Sequence, residues 1–521
     1  MIFRSPHPDV AVPDIALHRL VLARAAERGT KPALIDGPSG RILTYAALTR
    51  GADRVAAGLA ARGFKKGDVL GLFTPNLPEF ALVFHGTLAA GGVVTTINSL
   101  ATEQDVEHQL RNAGARVLVT VPPFLDRAAP AASKLGIDQL FVLGEAVGTT
   151  PFAALLATDA PAPEVTINPA RDLAVLPYSS GTTGFPKGVM LTHRNLVANL
   201  LQTGAVHTLA AEDRVMAVLP FFHLYGMQVV MNLALWYGAT LVTMPKFELE
   251  PFLGLVQQHR ITRAFVVPPI VLALAKHPAV DGYDLSSLRR MMSGAAPLDA
   301  GLETACARRL GCELVQGYGL TEASPVTHAN SDEQGRSRPG AVGPPLPNTE
   351  CRVVDVATGR DLGPGEDGEI LIRGPQVMQG YLDNPQATAA TLDADGWLHT
   401  GDIGRVDAAG FFTIVDRAKE LIKYKGFQVP PAELEAVLCT HPAVGDAAVI
   451  PIPDEACGEV PKAFVVLKEA ATAADLMAYV AERVAPYKKI RAVEVIDAIP
   501  KSPSGKILRR VLKERERIVR A

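Results

Sequence analysis

The residues between Tyr178 and Val189 combine the side chains and the backbone freedom that bind phosphate groups. The segment holds hydroxyl side chains, glycines and one lysine: Ser179, Ser180, Gly181, Thr182, Thr183, Gly184, Lys187 and Gly188. Hydroxyl groups donate hydrogen bonds to an anion, glycines let backbone N–H groups come close to it, and the Lys187 ammonium adds a positive charge. We therefore predict that residues 179–188 form a phosphate-binding loop.

The segment differs from a Walker phosphate-binding loop, which needs a serine or threonine directly after its lysine to hold magnesium. Here Lys187 is followed by Gly188 and Val189. Runs rich in serine and glycine are more often flexible linkers than nucleotide sites. This run, however, lies between a strand-like apolar segment, residues 173–177, and a helix-like segment, residues 193–201. Loops on such scaffolds often carry function.

A second block, residues 316–322, places three groups suited to a nucleotide close together. The Tyr318 ring offers a purine a flat apolar face, and Thr321 offers a hydroxyl to a phosphate oxygen. Glu322 offers the hard carboxylate oxygen that magnesium prefers. A strand end followed by a glycine turn, with Tyr318 packed inside, explains the block equally well when it is taken alone.

Three later blocks are rich in charge. Asp402 follows a turn-forming glycine, and its carboxylate could accept hydrogen bonds from both hydroxyls of a ribose. Residues 416–429 contain several basic residues in a short span, which is also typical of an edge strand guarded by lysine. Lys506, within residues 500–507, is an ammonium of the kind that stabilises charge in nucleotidyl transfer, although most lysines near a C-terminus are simply solvated.

These five blocks occur in one order, and together they resemble the signature of the adenylate-forming superfamily. That superfamily contains acyl-CoA synthetases, firefly-type luciferases and the adenylation domains of peptide synthetases. The resemblance implies that ATP and a carboxylic acid react to give an acyl adenylate and pyrophosphate, with Mg2+ as cofactor. For an acyl-CoA synthetase it also implies coenzyme A as the second substrate.

The resemblance assigns roles to individual residues. It implies that Lys506 bridges the substrate carboxylate and the α-phosphate, that Thr321 contacts the α-phosphate, and that Glu322 holds the metal. The implied contacts with ATP or AMP are Ser179, Ser180, Gly181, Thr182, Thr183, Gly184, Lys187, Ala295, Ala296, Gln316, Gly317, Tyr318, Gly319, Thr321, Asp402, Arg417, Lys423, Gln428 and Lys506. His223 resembles a catalytic histidine that gates the acyl site, although a core histidine fits its spacing as well.

The resemblance further implies two domains, residues 1–418 with the AMP-binding site and residues 419–521 as a mobile lid that carries the catalytic lysine. Lys419 is implied to be the hinge, and Lys425 and Gly426 are implied to bind coenzyme A. Because the catalytic lysine and Gly426 serve different half-reactions, rotation about Lys419 would present first one and then the other. A length of 521 residues also exceeds what a single core usually holds.

Within the superfamily, the chain looks most like 4-coumarate:CoA ligases and their close acyl-CoA ligase relatives. The implied acyl pocket is apolar and its residues are mostly small: Tyr225, Gly226, Met227, Val267, Met292, Ala295, Gly317, Gly319, Pro325 and Val326. A second carboxylate on the substrate would find no lysine or arginine in this set. We therefore expect an uncharged aryl acid such as 4-coumarate, cinnamate or benzoate, with a medium-chain fatty acid as the alternative.

Other functions share the same ATP blocks. They are a ligase that loads its acyl adenylate onto a carrier protein and a luciferase-like oxygenase. A non-catalytic nucleotide-binding module is disfavoured, because the residues expected of an active enzyme are all present: Thr321, Glu322, Asp402, Arg417 and Lys506.

The composition fits an enzyme that acts on small molecules. Lysine and arginine number 51 against 54 aspartates and glutamates, so there is no basic surface of the size that nucleic acid requires. The five cysteines are scattered and odd in number, which favours a reducing cytoplasm over a disulfide framework. The first ten residues lack the apolar core of a signal peptide, and the most apolar stretch, residues 229–244, is too short to span a bilayer. We expect a monomer or a homodimer.

The predicted fold class is α/β. Apolar runs typical of buried strands alternate with helical patterns, which indicates largely parallel sheets; the runs are residues 69–73, 117–121, 140–143, 215–219, 240–244 and 264–267. Thr44 is expected to cap one helix, and Pro430 and Pro431 are expected to begin another. After Cys351 the strands shorten and glycine turns become frequent, which indicates a β-rich subdomain ahead of a small α+β C-terminal domain.

Overall fold

The computed structural model describes residues 1–179, 186–332, 337–417, 420–424, 427–454, 457–502 and 505–520. It confirms the predicted α/β class, with two large sheets that contain parallel strands, one antiparallel sheet and a separate C-terminal sheet. Within these ranges, no helix is both long and apolar enough to cross a membrane.

The first large sheet holds the predicted phosphate loop at its edge. Its strands, in spatial order, are Tyr178–Ser179, Lys187–Thr192, Leu173–Val175, Val93–Thr96, Val69–Phe73, Ala115–Thr120, Gln139–Val142 and Thr150–Pro151, and Gly380–Tyr381 also pairs with Lys187–Thr192. The strands from Leu173–Val175 onward pair in parallel, and the strands around the loop pair antiparallel. The antiparallel pairing brings the two ends of the loop together.

The second large sheet carries most of the predicted nucleotide and acyl residues. Its strands, in spatial order, are Val326–Ala329, Glu313–Gly319, Arg290–Ser293, Arg263–Val266, Arg214–Ala217, Thr240–Thr243, Pro32–Asp36 and Ile42–Thr44. The pairings from Glu313–Gly319 to Pro32–Asp36 are all parallel. Because parallel strands end at the same edge of a sheet, the segments that follow them converge there, as in other α/β ligand sites.

The region after Cys351 forms the β-rich part that the sequence predicts. Its antiparallel sheet consists of Phe3–Arg4, Glu350–Val354, Gly368–Arg373, Leu398–Val406 and Phe412–Arg417. The pairing of the last two strands sets Asp402 directly opposite Arg417.

The C-terminal residues form a sheet of their own. Its strands are Phe427–Val429, Ile422–Tyr424, Gly458–Leu467 and Val444–Asp454, and Ala492–Val495 pairs in parallel with Gly458–Leu467. Ile422, Leu434 and Val465 belong to a hydrophobic core that is separate from the main one. The chain changes from one core to the other between Ile414 and Ile422, and the predicted domain boundary lies in this interval.

The helices confirm both predicted starts. The Thr44 hydroxyl oxygen accepts a hydrogen bond from the Ala47 N–H at 3.2 Å, and Pro431 is the first residue of its helix. The α-helices are Leu17–Leu22, Ala25–Arg28, Tyr45–Ala61, Pro78–Ala89, Glu103–Ala113, Leu125–Leu135, Ala153–Leu156, His193–Val206, Leu233–Tyr237, Leu249–His259, Pro268–Lys276, Ala300–Leu310, Pro385–Thr391, Pro431–Cys439, Ala473–Ala481 and Arg509–Arg520. Short 3-10 turns are Pro122–Phe124, Pro278–Gly282, Thr321–Ala323 and Pro486–Lys488, and Tyr225–Asn232 is a π-helix.

Candidate active site

The two ends of the predicted phosphate loop meet in an antiparallel hairpin. Ser179 lies directly opposite Lys187 in this pairing, so a hydroxyl and a lysine stand at the base of the loop. The tip of the loop lies outside the described residues. The phosphate contacts of Ser180, Gly181, Thr182, Thr183 and Gly184 therefore stay predictions.

Glu322 lies against the base of this loop. It belongs to the short helical turn Thr321–Ala323, which follows the strand Glu313–Gly319. Its Oε1 accepts one hydrogen bond from the Ser179 hydroxyl at 2.9 Å and another from the Tyr381 hydroxyl at 2.8 Å. The fold thus brings the carboxylate predicted to hold a metal to the loop predicted to hold phosphates.

Tyr318, Asp402 and Arg417 form one group of contacts. The Tyr318 hydroxyl donates to Asp402 Oδ2 at 2.6 Å, and Arg417 Nε lies 3.4 Å from Asp402 Oδ1. Burial raises the pKa of the Asp402 carboxyl, and the positive charge of Arg417 and the hydrogen bond from Tyr318 oppose this rise. Because both carboxylate oxygens have a partner, Asp402 is held in one orientation.

Lys506 reaches the same region from the C-terminal sheet. The residue before it, Gly505, lies against the start of the helix Pro268–Lys276. A Cβ on Gly505 would lie 3.1 Å from Val267 Cγ2 and 3.2 Å from Pro269 Cδ. The turn that carries Lys506 is therefore packed on the second large sheet, beside a residue of the predicted acyl pocket.

The charge of Lys506 is strongly affected by its surroundings. Burial lowers the pKa of Lys506 to about 8, and the positive charges of Arg417 and Arg509 contribute to the fall. The negative charges of Glu420 and Asp402 act in the opposite direction. An ammonium whose pKa lies near neutral pH, with charged partners in a buried site, is a common feature of active sites.

His223 is close enough to Lys506 to respond to its charge. Burial, and then the Lys506 ammonium, lower the pKa of His223 to about 4. Its Nδ1 accepts a hydrogen bond from the Tyr225 N–H at 3.2 Å, so the neutral ring carries its proton on Nε2. His223 therefore has one N–H donor, on Nε2, and its role beside the acyl site stays a prediction.

Five of the predicted acyl-pocket residues lie close to another member of the set. The Tyr225 hydroxyl donates to the Met292 carbonyl at 2.9 Å. A Cβ on Gly317 would lie 2.0 Å from Met292 Cε, and a Cβ on Gly319 would lie 2.1 Å from the Pro325 carbonyl oxygen. Backbone atoms therefore require a glycine at position 319, whereas a Cβ at position 317 would have to displace the flexible end of Met292.

The remaining predicted pocket residues are Gly226, Met227, Val267, Ala295 and Val326. Met227, Val267 and Val326 are buried apolar side chains. Ala295, predicted with Ala296 to lie beside the adenine, is exposed and has a φ of 70°, which is unusual for a residue other than glycine. The predicted set thus provides an uncharged surface next to the Lys506 turn.

Three predicted nucleotide contacts have a different setting. The Gln316 side chain donates to the Leu298 carbonyl at 3.0 Å and to Glu303 Oε2 at 2.6 Å, so it anchors its own strand. Lys423 is exposed to solvent. For Gln428 the structure describes the backbone alone, and Lys419, Lys425 and Gly426 lie outside the described residues. The nucleotide contacts of Lys423 and Gln428 stay predictions.

The structure adds residues that the sequence patterns did not single out. Tyr381 reaches Glu322 only because a two-residue strand pairs with the second strand of the loop hairpin, and no sequence spacing signals that pairing. Arg509 lies three residues after Lys506, so its positive charge near Lys506 is evident from the sequence. Its carboxylate partners, Glu420 and Glu435, lie far earlier in the chain and could not be assigned from spacing.

Comparison with known proteins connects this geometry to a family. Residues 21–382 match the model of the AMP-binding enzyme family, and residues 433–506 match that of the AMP-binding enzyme C-terminal domain. The chain belongs to the AMP-binding enzyme family. The matched segments of this AMP-binding enzyme include Lys187, Glu322 and Lys506, and Asp402 and Arg417 lie between them.

Relatives of this AMP-binding enzyme match it over nearly its whole length. It is 45% identical to 4-coumarate–CoA ligase 5 from Oryza sativa subsp. japonica, over 98% of this chain and 97% of the relative. Among solved structures, ATP-bound MatB from Rhodopseudomonas palustris has a TM-score of 0.87 and 31% identity, over 96% of this chain and 99% of that one. The anthranilate CoA ligase AuaEII in complex with anthranoyl-AMP has a TM-score of 0.90 and 28% identity, over 97% and 98%. These matches confirm the resemblance to adenylate-forming enzymes and the class of AMP-forming ligase.

Proposed function

We propose that this AMP-binding enzyme is an acid:coenzyme A ligase that converts an aryl carboxylic acid into an acyl adenylate and then into a thioester. The proposal depends on the meeting of distant parts of the chain. Lys506, from the C-terminal sheet, lies close enough to His223 and Asp402 to exchange electrostatic effects with both. Glu322 and Ser179 are hydrogen bonded at the phosphate loop.

The nucleotide is proposed to bind through three contacts of matching chemistry. The Tyr318 ring can stack on adenine, and the Asp402 carboxylate, which Arg417 holds in place, can accept hydrogen bonds from the ribose hydroxyls. Lys187 stands at the base of the loop proposed to bind the β- and γ-phosphates. Thr321, next to Glu322, is proposed to contact the α-phosphate.

The first half-reaction is then an attack of a carboxylate oxygen of the acid on the α-phosphorus of ATP. A new oxygen–phosphorus bond forms, and the bond to the pyrophosphate leaving group breaks. The ammonium of Lys506 stabilises the negative charge that this transition state spreads over oxygens. The neutral His223 can donate a hydrogen bond from Nε2–H to the carboxylate of the acid. Because the proton stays on His223, the carboxylate keeps the negative charge that it needs for attack.

Glu322 fits the role of a magnesium ligand. Its Oε1 is occupied by two hydroxyl donors, whereas Oε2 has no hydrogen-bond donor among the residues that the structure describes. A carboxylate oxygen of this kind is the hard ligand that Mg2+ prefers. When bound, Mg2+ would neutralise charge on the phosphates and on the departing pyrophosphate.

The second half-reaction requires the coenzyme A thiol to reach the acyl carbon. In this structure, Gly505, the residue before Lys506, packs against Val267 of the predicted acyl pocket. We propose that rotation of the C-terminal domain, residues 419–521, about Lys419 removes the turn and brings Gly426 to the site. The thiol sulfur then attacks the acyl carbon, and AMP leaves.

An aryl acid is the proposed substrate class. The residues of the acyl pocket that contact one another, including Tyr225, Met292 and Gly317, bear no charge. Two relatives have names that specify aryl acids, one 4-coumarate and the other anthranilate. An apolar pocket with few polar groups suits such flat molecules.

A panel of carboxylic acids tests this proposal. Cinnamate, 4-coumarate, benzoate and octanoate are each incubated with MgATP, and AMP release is measured with and without coenzyme A. We expect AMP release that depends on coenzyme A and the highest kcat/KM with an arylpropenoic acid. Much faster turnover of octanoate would contradict the aryl substrate, and acid-dependent pyrophosphate exchange without use of coenzyme A would indicate a carrier-protein acceptor. Absence of acid-dependent exchange would contradict a ligase altogether.

The cytoplasmic location and the monomeric or dimeric state stay predictions. Size-exclusion chromatography with light scattering on the purified protein measures the oligomeric state directly.

A further inference from the structure

Tyr381 lies beside the phosphate loop because of a short strand. Gly380–Tyr381 pairs antiparallel with Lys187–Thr192, and this register sets Tyr381 opposite Val189. The Leu382 N–H donates to the Gly188 carbonyl at 2.8 Å, which extends the pairing towards the loop. Tyr381 is therefore fixed by backbone hydrogen bonds to the strand that leaves the loop.

The side chain of Tyr381 contacts two groups that are predicted to bind the triphosphate and its metal. Its hydroxyl donates to Glu322 Oε1 at 2.8 Å. Its ring centroid lies 5.0 Å from the Lys187 ammonium nitrogen, within the range of a cation–π contact. The side chain is 8% exposed, so both contacts are largely shielded from water.

Each contact restricts one flexible group. With Ser179, the Tyr381 hydroxyl occupies Oε1 of Glu322 and fixes the rotation of that carboxylate, which leaves Oε2 for a cation. The ring holds the end of the long Lys187 side chain without using its three N–H donors. Both groups are thus ordered before the triphosphate arrives, and ordering a side chain in advance lowers the entropy that binding must overcome.

We propose that Tyr381 is a positioning residue for the triphosphate end of ATP, acting on the metal through Glu322 and on the phosphates through Lys187. This inference rests on the proposed use of ATP with a divalent cation. It separates two parts of one site. Tyr318 and Asp402 bind what ATP and AMP share, whereas Tyr381 affects only what ATP has in addition.

Binding of two nucleotides to three variants tests the proposal. Affinities of ATP and AMP are measured by isothermal titration calorimetry, with and without Mg2+ and in the absence of acid. Tyr381→Phe keeps the ring and removes the hydroxyl, and it should weaken MgATP binding by about tenfold while AMP binding changes by less than about twofold. Because the hydroxyl acts through the metal carboxylate, this loss should shrink when Mg2+ is omitted.

Tyr381→Leu removes the ring as well. It should weaken ATP binding by about a further threefold, with or without Mg2+, because the contact with Lys187 needs no metal. Tyr45→Phe is the matched control, since it deletes another buried tyrosine hydroxyl, one that donates to the Ala239 carbonyl at 2.7 Å. Tyr45→Phe should lower Tm by about as much as Tyr381→Phe does, and it should leave the affinities for ATP and AMP unchanged.

Three results would overturn the role of Tyr381. They are unchanged MgATP affinity in Tyr381→Phe, equal weakening of ATP and AMP, or a loss in Tyr381→Phe that is the same with and without Mg2+. The proposed function fails separately. Wild-type protein that binds MgATP but forms no acyl adenylate contradicts the ligase, and the comparison of the variants still decides the role of Tyr381.

Discussion

The protonation of Lys506 should set the upper pH limit of acyl-adenylate formation. Burial, assisted by the charges of Arg417 and Arg509, lowers the pKa of Lys506 to about 8. Only the protonated ammonium can stabilise the negative charge of the transition state. With such a pKa, the charged fraction is about 0.9 at pH 7, about 0.5 at pH 8 and about 0.1 at pH 9. The rate should therefore fall as pH rises, by about tenfold between pH 7 and pH 9.

Acid-dependent exchange of labelled pyrophosphate into ATP measures this step, with ATP well below its KM at each pH so that the profile follows the pKa of Lys506 in the free enzyme. The control is Lys506→Arg, whose guanidinium stays protonated throughout this range. Whatever its absolute rate, this variant should show a flat profile from pH 7 to pH 9. A flat or rising wild-type profile would show that the charge of Lys506 does not limit adenylation.

The other variants separate the parts of the site. Lys506→Ala should slow adenylate formation by about a hundredfold or more. Thioester formation from supplied acyl adenylate should stay near the wild-type rate. Loss of both activities would contradict the proposal that this lysine serves the first half-reaction alone. Asp402→Asn removes the carboxylate that faces Arg417, and it should raise the KM for ATP by about tenfold in the exchange assay. The KM for the acid should stay unchanged, and a parallel rise in both KM values would indicate a folding defect. Gly317→Ala would put a methyl group 2.0 Å from Met292 Cε, so it should raise the KM for 4-coumarate and leave ATP affinity unchanged. Adding Met292→Ala should restore the KM, and no rescue would place the clash elsewhere.

The sequence predicts elements best where an apolar run and a sheet strand coincide. The strand Val69–Phe73 begins and ends where predicted. All of its residues are buried, as in a strand covered on both faces of its sheet, so the apolar run coincides with the whole strand. The run 215–219 was too long, since the strand is Arg214–Ala217. Val218 and Leu219 are buried but lie beyond the last pairing. An apolar pattern reports burial, whereas a strand ends where its pairing ends.

The same distinction applies to the site. The blocks around Glu322, Asp402 and Lys506 were recognised through their common order along the chain, since each of them taken alone also fits an ordinary turn or a solvated lysine. Tyr381 could not be predicted, since its role arises from strand pairing alone. The nucleotide contact of Gln316 stays a prediction, and its side-chain hydrogen bonds to Leu298 and Glu303 could not be foreseen, because position in a motif does not show where a side chain points.

The contacts that hold Lys506 in place also tune its charge. Arg509, three residues later, donates to both carboxylate oxygens of Glu435 at 2.7 Å and also contacts Glu420. Arg509 lowers the pKa of Lys506, and Glu420 raises it. Because the same ion pairs set both the position and the proton affinity of Lys506, loss of one of them should change both.

Glu420→Gln tests this coupling. Removing the negative charge takes away a group that raises the pKa of Lys506, so the fall of the exchange rate should begin at a lower pH than in the wild type. The variant also loses one partner of Arg509, which loosens the placement of the lysine turn and should favour thioester formation over adenylation even at about pH 6, where Lys506 is almost fully charged. The pH profile of exchange and the ratio of the two half-reaction rates should therefore shift together. If the profile moved while the ratio at pH 6 stayed constant, the charge and the position of Lys506 would be independent of each other.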